Sequence, residues 1–264
     1  MSTDTTCNEL PEPSMGSFQP YDQFILFGDS ITQGSHNQDL GFAFAPALQN
    51  DYIRRLDVIN RGFSGYTSAQ ALKALPRFFP TPDRANVRAM TIFFGANDAV
   101  LPGGVQYIPV EDYKRNLKAI IQHPAVKEQN LTVFLLTPPP INEYQTEVMD
   151  HGHGHDRLQR TASNTKVYAD ACREVGAELG VIVVDIWRAF MTFVGWEEGK
   201  PLDGSKDVPE NAALAKLFSD GLHFKPGGYR IVYNELLRVI RKDCPDLAPE
   251  NIEMILPDWV VAPQ

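Results

Sequence analysis

The sequence predicts an α/β fold in which helices cover a parallel β-sheet. Its 264 residues, of which 43% are hydrophobic and 22% charged, suffice for one substantial core. Short, continuous apolar runs recur along the chain, and longer amphipathic stretches fill the intervals between them. Strands that alternate with helices in this way are typical of a parallel sheet, and ligands bind such sheets at the carboxyl ends of the strands.

Five runs are rich in β-branched or aromatic residues, which is typical of strands that are buried on both faces. In chain order, the predicted strands are Phe24–Phe27, Leu56–Ile59, Met90–Phe94, Thr132–Leu136 and Val181–Val184. The amphipathic stretches between them predict the covering helices. These are Phe42–Arg55, Ser68–Phe79, Val110–Gln122, Arg157–Leu179 and a last stretch that follows Pro226-Gly227-Gly228 as far as Arg241.

Two segments outside the strands and helices differ in composition from the rest. Residues 1–20 contain prolines and lack the apolar core of a signal peptide, so they predict a flexible N-terminal arm. Pro138-Pro139-Pro140 and the glycine- and histidine-containing segment after it predict a loop beyond the fourth strand. Residues 21–264 then predict a single catalytic domain with a C-terminal tail. No apolar run is long enough to span a bilayer, and we expect a cytoplasmic protein.

Charge and cysteine content exclude several classes of function. The formal net charge of −9 leaves no broad basic surface, which a protein needs to bind a phosphate backbone, so nucleic acids are not expected partners. The cysteines Cys7, Cys172 and Cys244 are widely separated and odd in number. They predict reduced thiols rather than a disulfide framework or a zinc site. The oligomeric state is left open, and a homo-oligomer is one alternative.

A serine follows the first predicted strand in the turn Gly28-Asp29-Ser30. Glycine makes such a turn sterically cheap, and Ser30 can then point into the crevice at the carboxyl edge of the sheet. Asp and Ser also commonly cap helices, so a purely structural role is the alternative. A serine nucleophile requires a histidine base, and that base requires a carboxylate to orient it.

Both of these groups occur near the C-terminus, in Asp220-Gly221-Leu222-His223. Side chains three residues apart in a turn or short helical segment lie on the same side of that segment. The Asp220 carboxylate can therefore accept a hydrogen bond from one ring nitrogen of His223 and leave the other facing Ser30. A solvated aspartate beside an ordinary histidine is the alternative. Asp29 is a second candidate for the orienting carboxylate, but its position next to Ser30 favours a role in the turn.

Two further segments at strand ends carry groups that suit an oxyanion hole. Gly65 follows the second predicted strand, and Asn97 follows the third. The N–H groups of Ser30 and Gly65 and the side-chain amide of Asn97 would supply three donors to a developing oxyanion. A tight turn at Gly65 and an Asx-turn or helix cap at Asn97 are the alternatives. The occurrence of all these segments at strand ends favours the catalytic interpretation.

Four blocks of residues carry a resemblance to a known family. The set Gly28-Asp29-Ser30, Gly65, Gly95-Ala96-Asn97-Asp98 and Asp220-Gly221-Leu222-His223 resembles the four blocks of the SGNH, or GDSL, hydrolase superfamily. A narrower similarity, to the isoamyl acetate-hydrolysing esterases, rests on Phe27-Gly28-Asp29-Ser30-Ile31-Thr32, Phe94-Gly95-Ala96-Asn97-Asp98-Ala99, Thr137-Pro138-Pro139-Pro140 and Asp220-Gly221-Leu222-His223. The resemblance implies the SGNH hydrolase fold, a three-layer α/β/α sandwich on a five-stranded parallel sheet with flavodoxin-like strand order.

The resemblance also implies a role for each matching residue. Ser30 is the implied nucleophile, His223 its base and Asp220 the orienter, while Ser30, Gly65 and Asn97 form the oxyanion hole. The implied activity is hydrolysis of short-chain carboxylic esters, such as isoamyl acetate, through an acyl-enzyme. A small ester is then the partner, and no metal or cofactor is required.

Three other activities and one non-catalytic role would be compatible with the same motifs. A lysophospholipase, a thioesterase or a carbohydrate deacetylase would use an identical triad beside a different pocket. A non-catalytic binding subunit is a further alternative, against which the intact triad argues.

A cluster of histidines raises the question of a metal. His151, His153 and His155 alternate with glycines between Asp150 and Asp156, and these are residue types that bind metals. Structural zinc sites fix their ligands on ordered elements, however, whereas glycines between the ligands predict a flexible chain. We therefore predict a solvated loop with no metal.

Overall fold

The protein is described by a computed structural model over residues 20–256 and 259–261. At its centre is a five-stranded sheet with the strand order β2-β1-β3-β4-β5, and every neighbouring pair runs parallel. The strands are β1 (Asp22–Gly28), β2 (Leu56–Gly62), β3 (Val87–Phe93), β4 (Thr132–Leu136) and β5 (Ile182–Val184). This is the flavodoxin-like order, which confirms the predicted fold class.

The strand predictions agree with the structure in number and place, but β1, β2 and β3 are longer than expected and β5 is one residue shorter. β2 continues past the apolar run because Asn60, Arg61 and Gly62 pair with the last three residues of β1. β3 likewise begins at Val87, three residues before the predicted start. A ladder of backbone hydrogen bonds can extend through polar residues, so hydrophobicity alone underestimates strand length.

Helices connect the strands and cover both faces of the sheet. Within the described residues they are α1 (Ser30–Gly34), α2 (Phe44–Asp51), α3 (Ser68–Phe78), α4 (Val110–Ile121), α5 (Pro124–Glu128), α6 (Glu143–Gly152), α7 (Ala162–Leu179), α8 (Ile186–Phe193), α9 (Ala212–Ala215) and α10 (Pro226–Asp243). The five predicted helices correspond to α2, α3, α4, α7 and α10, and the largest differences at their ends are at the end of α2 and the start of α7.

Two apolar layers sandwich the sheet, as the alternation of side chains along β1 illustrates. Phe24 and Leu26 point to one face, where they join a core with residues of α2, α8 and α10. Ile25 and Phe27 point to the other face and pack with residues of α3, α4 and α7. All four side chains are almost fully buried, which explains why this strand is a continuous apolar run.

The prediction of a loop after Pro138-Pro139-Pro140 was partly wrong, because α6 occupies most of that segment. Asn142 caps α6 by accepting a hydrogen bond from the N–H of Tyr144 at 3.0 Å. The face that α6 buries carries Glu143, Thr146 and Asp150, which are polar. A helix with a polar buried face has no apolar periodicity, and this is why the sequence pattern did not reveal it.

The start of α7 was also predicted wrongly. The helix begins at Ala162 rather than Arg157, and Thr161 caps it by accepting the N–H of Asn164 at 3.1 Å. Just before the cap, the N–H of Gln159 donates to the Asp150 carboxylate, and the carbonyl of Gln159 accepts from the N–H of Leu101. These contacts hold residues 157–160 outside the helix.

The described part of the C-terminal tail packs against the segment between α2 and β2. The Tyr52 hydroxyl donates to the carbonyl of Leu247 at 2.7 Å, and the Arg55 guanidinium donates to that of Ile252 at 2.8 Å. Residues 1–19 of the predicted arm lie outside the described residues, as does Cys7, while Cys172 and Cys244 are free thiols. No helix in residues 20–256 or 259–261 is long and apolar enough to cross a membrane.

Candidate active site

The predicted nucleophile stands at the junction between β1 and α1. Asp29 caps α1 by accepting a hydrogen bond from the N–H of Ile31 at 2.9 Å, and Ser30 is the first residue of the helix. The Ser30 hydroxyl lies 2.9 Å from Nε2 of His223, although 193 positions separate the two residues in sequence. Asp29 therefore supports the turn, as expected, and Ser30 is within reach of a base.

The loop that carries His223 is closed by its own backbone. Phe218 and Phe224 form an antiparallel bridge, and the N–H of Ser219 donates to the carbonyl of His223 at 2.9 Å. Gly221 has a φ of +86°, and a Cβ there would lie 2.4 Å from the carbonyl oxygen of Asn142. Because of this φ and this close approach, only glycine fits at position 221 of the turn.

Asp220 and His223 interact as their spacing predicts. Nδ1 of His223 lies 2.7 Å from Oδ2 of Asp220, while Oδ1 of Asp220 accepts the backbone N–H groups of Leu222 and His223 at 3.0 and 2.8 Å. A carboxylate can only accept, so Nδ1 carries the ring proton. Nε2 is then an acceptor that faces the Ser30 hydroxyl. Ser30, His223 and Asp220 thus form a continuous hydrogen-bonded chain.

Two carboxyl groups and one imidazole at the site have shifted pKa values. Burial opposes ionisation of Asp220, but hydrogen bonds from the His223 ring and from two backbone N–H groups outweigh it and lower the Asp220 pKa to about 2. The hydrogen bond to Asp220 raises the pKa of His223 above its usual value, against the effect of burial. Burial raises the pKa of Asp29 to about 7.

The predicted oxyanion donors come from two other strand ends. Gly65 lies in the turn after β2 with a φ of +78°, and Asn97 lies in the loop after β3 with only 4% of its surface exposed. The Asn97 amide donates one N–H to the carbonyl of Tyr66 at 2.9 Å, which leaves its second N–H. Across the described residues, the N–H groups of Ser30 and Gly65 have no hydrogen-bond acceptor.

A buried carboxylate ties these two loops together. Asp98 accepts the backbone N–H of Ser68, the first residue of α3, at 3.0 Å, and the hydroxyl of Ser68 as well. Burial raises the pKa of Asp98 to about 6, which these hydrogen bonds partly offset. The contact fixes the loop that holds Asn97 against the helix that follows Gly65.

The predicted site residues meet at a cleft of about 470 Å³. Ser30, Gly65, Asn97 and His223 line it, and Asp220 lies behind His223. Apolar and polar groups complete its walls, namely Ser64, Val100, Val105, Gln106, Met149, Asp150, His153, His155, Gln159, Arg160 and Leu222. A second cavity of about 220 Å³ also borders Ser30 and His223, but its other walls come from Gly34, Asn37, Leu40, Phe42, Ser219, Phe224, Pro226 and Tyr229.

Comparison with known proteins agrees with this geometry. The sequence profile of the GDSL-like Lipase/Acylhydrolase family matches residues 26–231, which include every residue of the hydrogen-bonded chain. The chain belongs to this family. This membership identifies the chain as a carboxylic ester hydrolase. A hydrogen-bonded chain of serine, histidine and aspartate is one arrangement that can activate a serine for ester hydrolysis.

Named relatives cover most of the chain. It is similar to the isoamyl acetate-hydrolyzing esterase of Saccharomyces cerevisiae, with 32% identity over 90% of this chain and 94% of the yeast protein. It is similar also to the human isoamyl acetate-hydrolyzing esterase 1 homolog, with 34% identity over 92% of this chain and 89% of that protein. Among solved structures, a lipase/acylhydrolase from Enterococcus faecalis superposes with a TM-score of 0.60 at 26% identity, over 89% of this chain and 100% of the other.

Sequence patterns did not reveal two side chains of the GDSL-like hydrolase that contact the predicted oxyanion donors. Arg160 donates to the side-chain oxygen of Asn97 at 3.2 Å, and Gln106 donates to the carbonyl of Gly65 at 2.8 Å. Both lie far along the chain from their partners and outside any recognisable motif.

The histidine cluster lies close to the site without forming a metal centre. His151 belongs to the last turn of α6, so the predicted loop begins only at His153. All three histidines are exposed, and His153 and His155 reach the rim of the cleft. Over the part of the chain that the structure describes, no group of three or more His, Cys, Asp or Glu side chains is arranged to hold a metal ion.

Proposed function

We propose that this GDSL-like hydrolase cleaves short-chain carboxylic esters, acetate esters such as isoamyl acetate among them, through an acyl-enzyme on Ser30. The single observation that carries the proposal is the chain from Ser30 through His223 to Asp220, with contacts of 2.9 and 2.7 Å. We also propose that residues 21–264 act as one catalytic domain. The oxyanion donors of this proposal are the N–H groups of Ser30 and Gly65 and the amide of Asn97.

The proposed reaction has two stages, acylation and deacylation, and His223 accepts one proton and gives one up in each stage. The Ser30 oxygen attacks the ester carbonyl while its proton passes to Nε2, and the carbonyl oxygen becomes the oxyanion. The bond to the alcohol oxygen then breaks, and that oxygen takes the proton from Nε2. Water next attacks the acyl-enzyme, gives a proton to Nε2 and releases the acid, and Ser30 recovers its proton.

The names of the relatives support isoamyl acetate as the first substrate to test. The smaller cavity supports a short apolar alcohol, because Leu40, Phe42 and Phe224 line it and it borders His223, which must protonate the leaving oxygen. It does not border Gly65 or Asn97. We therefore propose that the alcohol enters this cavity, while the acyl group lies in the larger cleft beside the oxyanion donors.

A carbohydrate deacetylase is the second candidate. The larger cleft favours this candidate, because Asp150, His153 and His155 line the cleft and can form hydrogen bonds with sugar hydroxyl groups. The two candidates differ in the alcohol and share the acetyl group. Relative rates with a sugar acetate and with isoamyl acetate therefore distinguish them.

The test is hydrolysis of isoamyl acetate, ethyl acetate, ethyl butyrate and an acetylated xylo-oligosaccharide by the wild type, Ser30→Ala and Ser64→Ala. We expect isoamyl acetate to be the best substrate and Ser30→Ala to be inactive. Ser64→Ala removes the other serine that lines the cleft, and it should remain active because the hydroxyl that is hydrogen-bonded to His223 belongs to Ser30. An organophosphonate should label Ser30. Full activity in Ser30→Ala, or a label at another residue, would contradict the mechanism.

Leu40→Trp tests the side on which the alcohol lies. Leu40 is 61% exposed, so the larger side chain can narrow the smaller cavity without disturbing the core. The ratio of kcat/KM for isoamyl acetate to that for ethyl acetate should fall, whereas the ratio for ethyl butyrate to ethyl acetate should be retained. A change in the ratio for ethyl butyrate alone would place the acyl group in the smaller cavity and the alcohol in the larger cleft.

Other expectations from the sequence stay predictions. These are the cytoplasmic location, the exclusion of nucleic acids as partners and the absence of a cofactor. A homo-oligomer remains open to measurement. A non-catalytic binding subunit would fail the hydrolysis test with every ester.

A further inference from the structure

Two loops that lie far apart in sequence supply the proposed oxyanion donors. Gly65 is in the turn after β2, and Asn97 is in the loop after β3, so neither loop alone can set the distance between their donors. An oxyanion hole functions only when its donors are held in place before the reaction. Contacts that join the two loops are therefore relevant to catalysis.

Arg160 makes three hydrogen bonds at this junction although only 6% of its surface is exposed. Its Nε donates to the carbonyl of Ala96 at 2.8 Å, and its Nη2 donates to Oδ1 of Asn97 at 3.2 Å and to Oε1 of Gln106 at 3.1 Å. Burial lowers the pKa of Arg160, while the charges of Asp150, Asp29 and Asp220 oppose the shift. A guanidinium stays protonated in proteins, so Arg160 acts only as a donor.

The donor-only character of Arg160 fixes the orientation of the Asn97 amide. The side-chain oxygen of Asn97 must face Arg160, and its NH₂ group must face the opposite way, towards the carbonyl of Tyr66 and the cleft. If the amide rotated by 180°, its NH₂ group would oppose the guanidinium and its oxygen would oppose a carbonyl. Arg160 thus ensures that Asn97 presents an N–H to the oxyanion.

Gln106 connects Arg160 to Gly65 through two hydrogen bonds. Its Oε1 accepts from Arg160, so its Nε2 faces away and donates to the carbonyl of Gly65 at 2.8 Å. This hydrogen bond holds a residue whose φ of +78° determines where its own N–H points. A single path of hydrogen bonds therefore runs from Asn97 through Arg160 and Gln106 to Gly65.

We propose that Arg160 and Gln106 are positioning residues that align the two loop-borne donors of the oxyanion hole. The inference rests on the proposed function, because the oxyanion exists only if Ser30 attacks an ester. Arg160 sets the rotation of the Asn97 amide, and Gln106 transmits the position of Arg160 to the turn at Gly65. Neither residue needs to touch the substrate.

The test compares Arg160→Lys and Gln106→Met with the wild type. Lysine keeps the charge but cannot reach three acceptors in the geometry of a planar guanidinium. Loss of a whole donor costs about 10²–10³ in kcat, so a misaligned donor should cost about 10- to 100-fold, with little change in KM. A boronic acid, which forms a tetrahedral adduct with a serine, should bind more weakly to each variant in proportion to its loss of kcat.

Gln122→Met is the matched control, because it makes the same substitution at an exposed glutamine that follows α4. Gln122 lines neither of the two cavities that border Ser30, so kcat and boronate affinity should be retained. In the Asn97→Ala background, Arg160→Lys should cost less than it does in the wild-type background, since part of its effect acts through Asn97. Gln106 is partly exposed, so Gln106→Met keeps the test valid even if Arg160→Lys unfolds.

Two results would overturn the proposal. One is an active wild type whose Gln106→Met variant keeps both kcat and boronate affinity. The other is a double variant in which the fold-loss of kcat equals the product of the separate losses in Arg160→Lys and Asn97→Ala. A wild type that hydrolyses no ester would instead refute the proposed function, so the two failures are distinguishable.

Discussion

Replacing Asp220 with Asn removes the charge beside His223 while keeping the size of the side chain. In the structure, Oδ1 of Asp220 accepts two backbone N–H groups, those of Leu222 and His223, and Oδ2 accepts from Nδ1 of His223. The amide NH₂ of an asparagine cannot accept a hydrogen bond. Its oxygen must therefore take the backbone contacts, and its NH₂ group must face Nδ1 at about the present 2.7 Å.

The consequence is a histidine in the wrong tautomer. Nδ1 would have to accept from the asparagine, so the ring proton would move to Nε2, which faces the Ser30 hydroxyl at 2.9 Å. A protonated Nε2 cannot take the proton of Ser30, and the imidazolium that forms in the reaction loses its carboxylate. We expect kcat to fall about 10⁴-fold, or ~5.4 kcal/mol in activation free energy, as for other triads with this substitution.

The assay is steady-state hydrolysis of a chromogenic acetate ester by Asp220→Asn and by the matched variant Asp29→Asn. Asp29 is the other carboxylate beside Ser30, but its hydrogen bond goes to the N–H of Ile31. Asparagine caps helices as well as aspartate does, so Asp29→Asn should lose less than about tenfold. If Asp220→Asn retained activity within tenfold of the wild type, or if Asp29→Asn were the more damaged variant, our assignment of the orienter would be refuted.

Two further predictions concern pH and metal. Only neutral His223 can accept a proton, and Asp220 raises the His223 pKa above its usual value, so kcat/KM should rise with pH through a midpoint above about 6.5 and then level off. A flat profile would exclude His223 as the base. EDTA should leave activity unchanged, and changing His151, His153 and His155 together to Ala should alter KM at most modestly; lost activity that zinc restores would show that these histidines bind a catalytic metal.

Much of the fold could be predicted from the sequence because its signals are local. Each strand of the sheet contains a short apolar run, and residues within one run are enough to identify it, as with Thr132–Leu136, whose bounds were predicted without error. The helix α6 was missed for the corresponding reason. Its buried face carries Glu143 and Asp150, whose burial depends on partners elsewhere in the chain, such as the N–H groups of Ala162 and Gln159.

The sequence by itself determined which residues could form the triad, because Gly28-Asp29-Ser30 and Asp220-Gly221-Leu222-His223 are local motifs at predictable strand ends and turns. Only the tertiary structure decided that the Ser30 hydroxyl and His223 lie 2.9 Å apart, and that Asp220 rather than Asp29 contacts the ring. It alone joined Asn97 to Gln106 through Arg160. Hydrogen bonds between distant residues depend on how the loops pack, and no pattern within one segment encodes that packing.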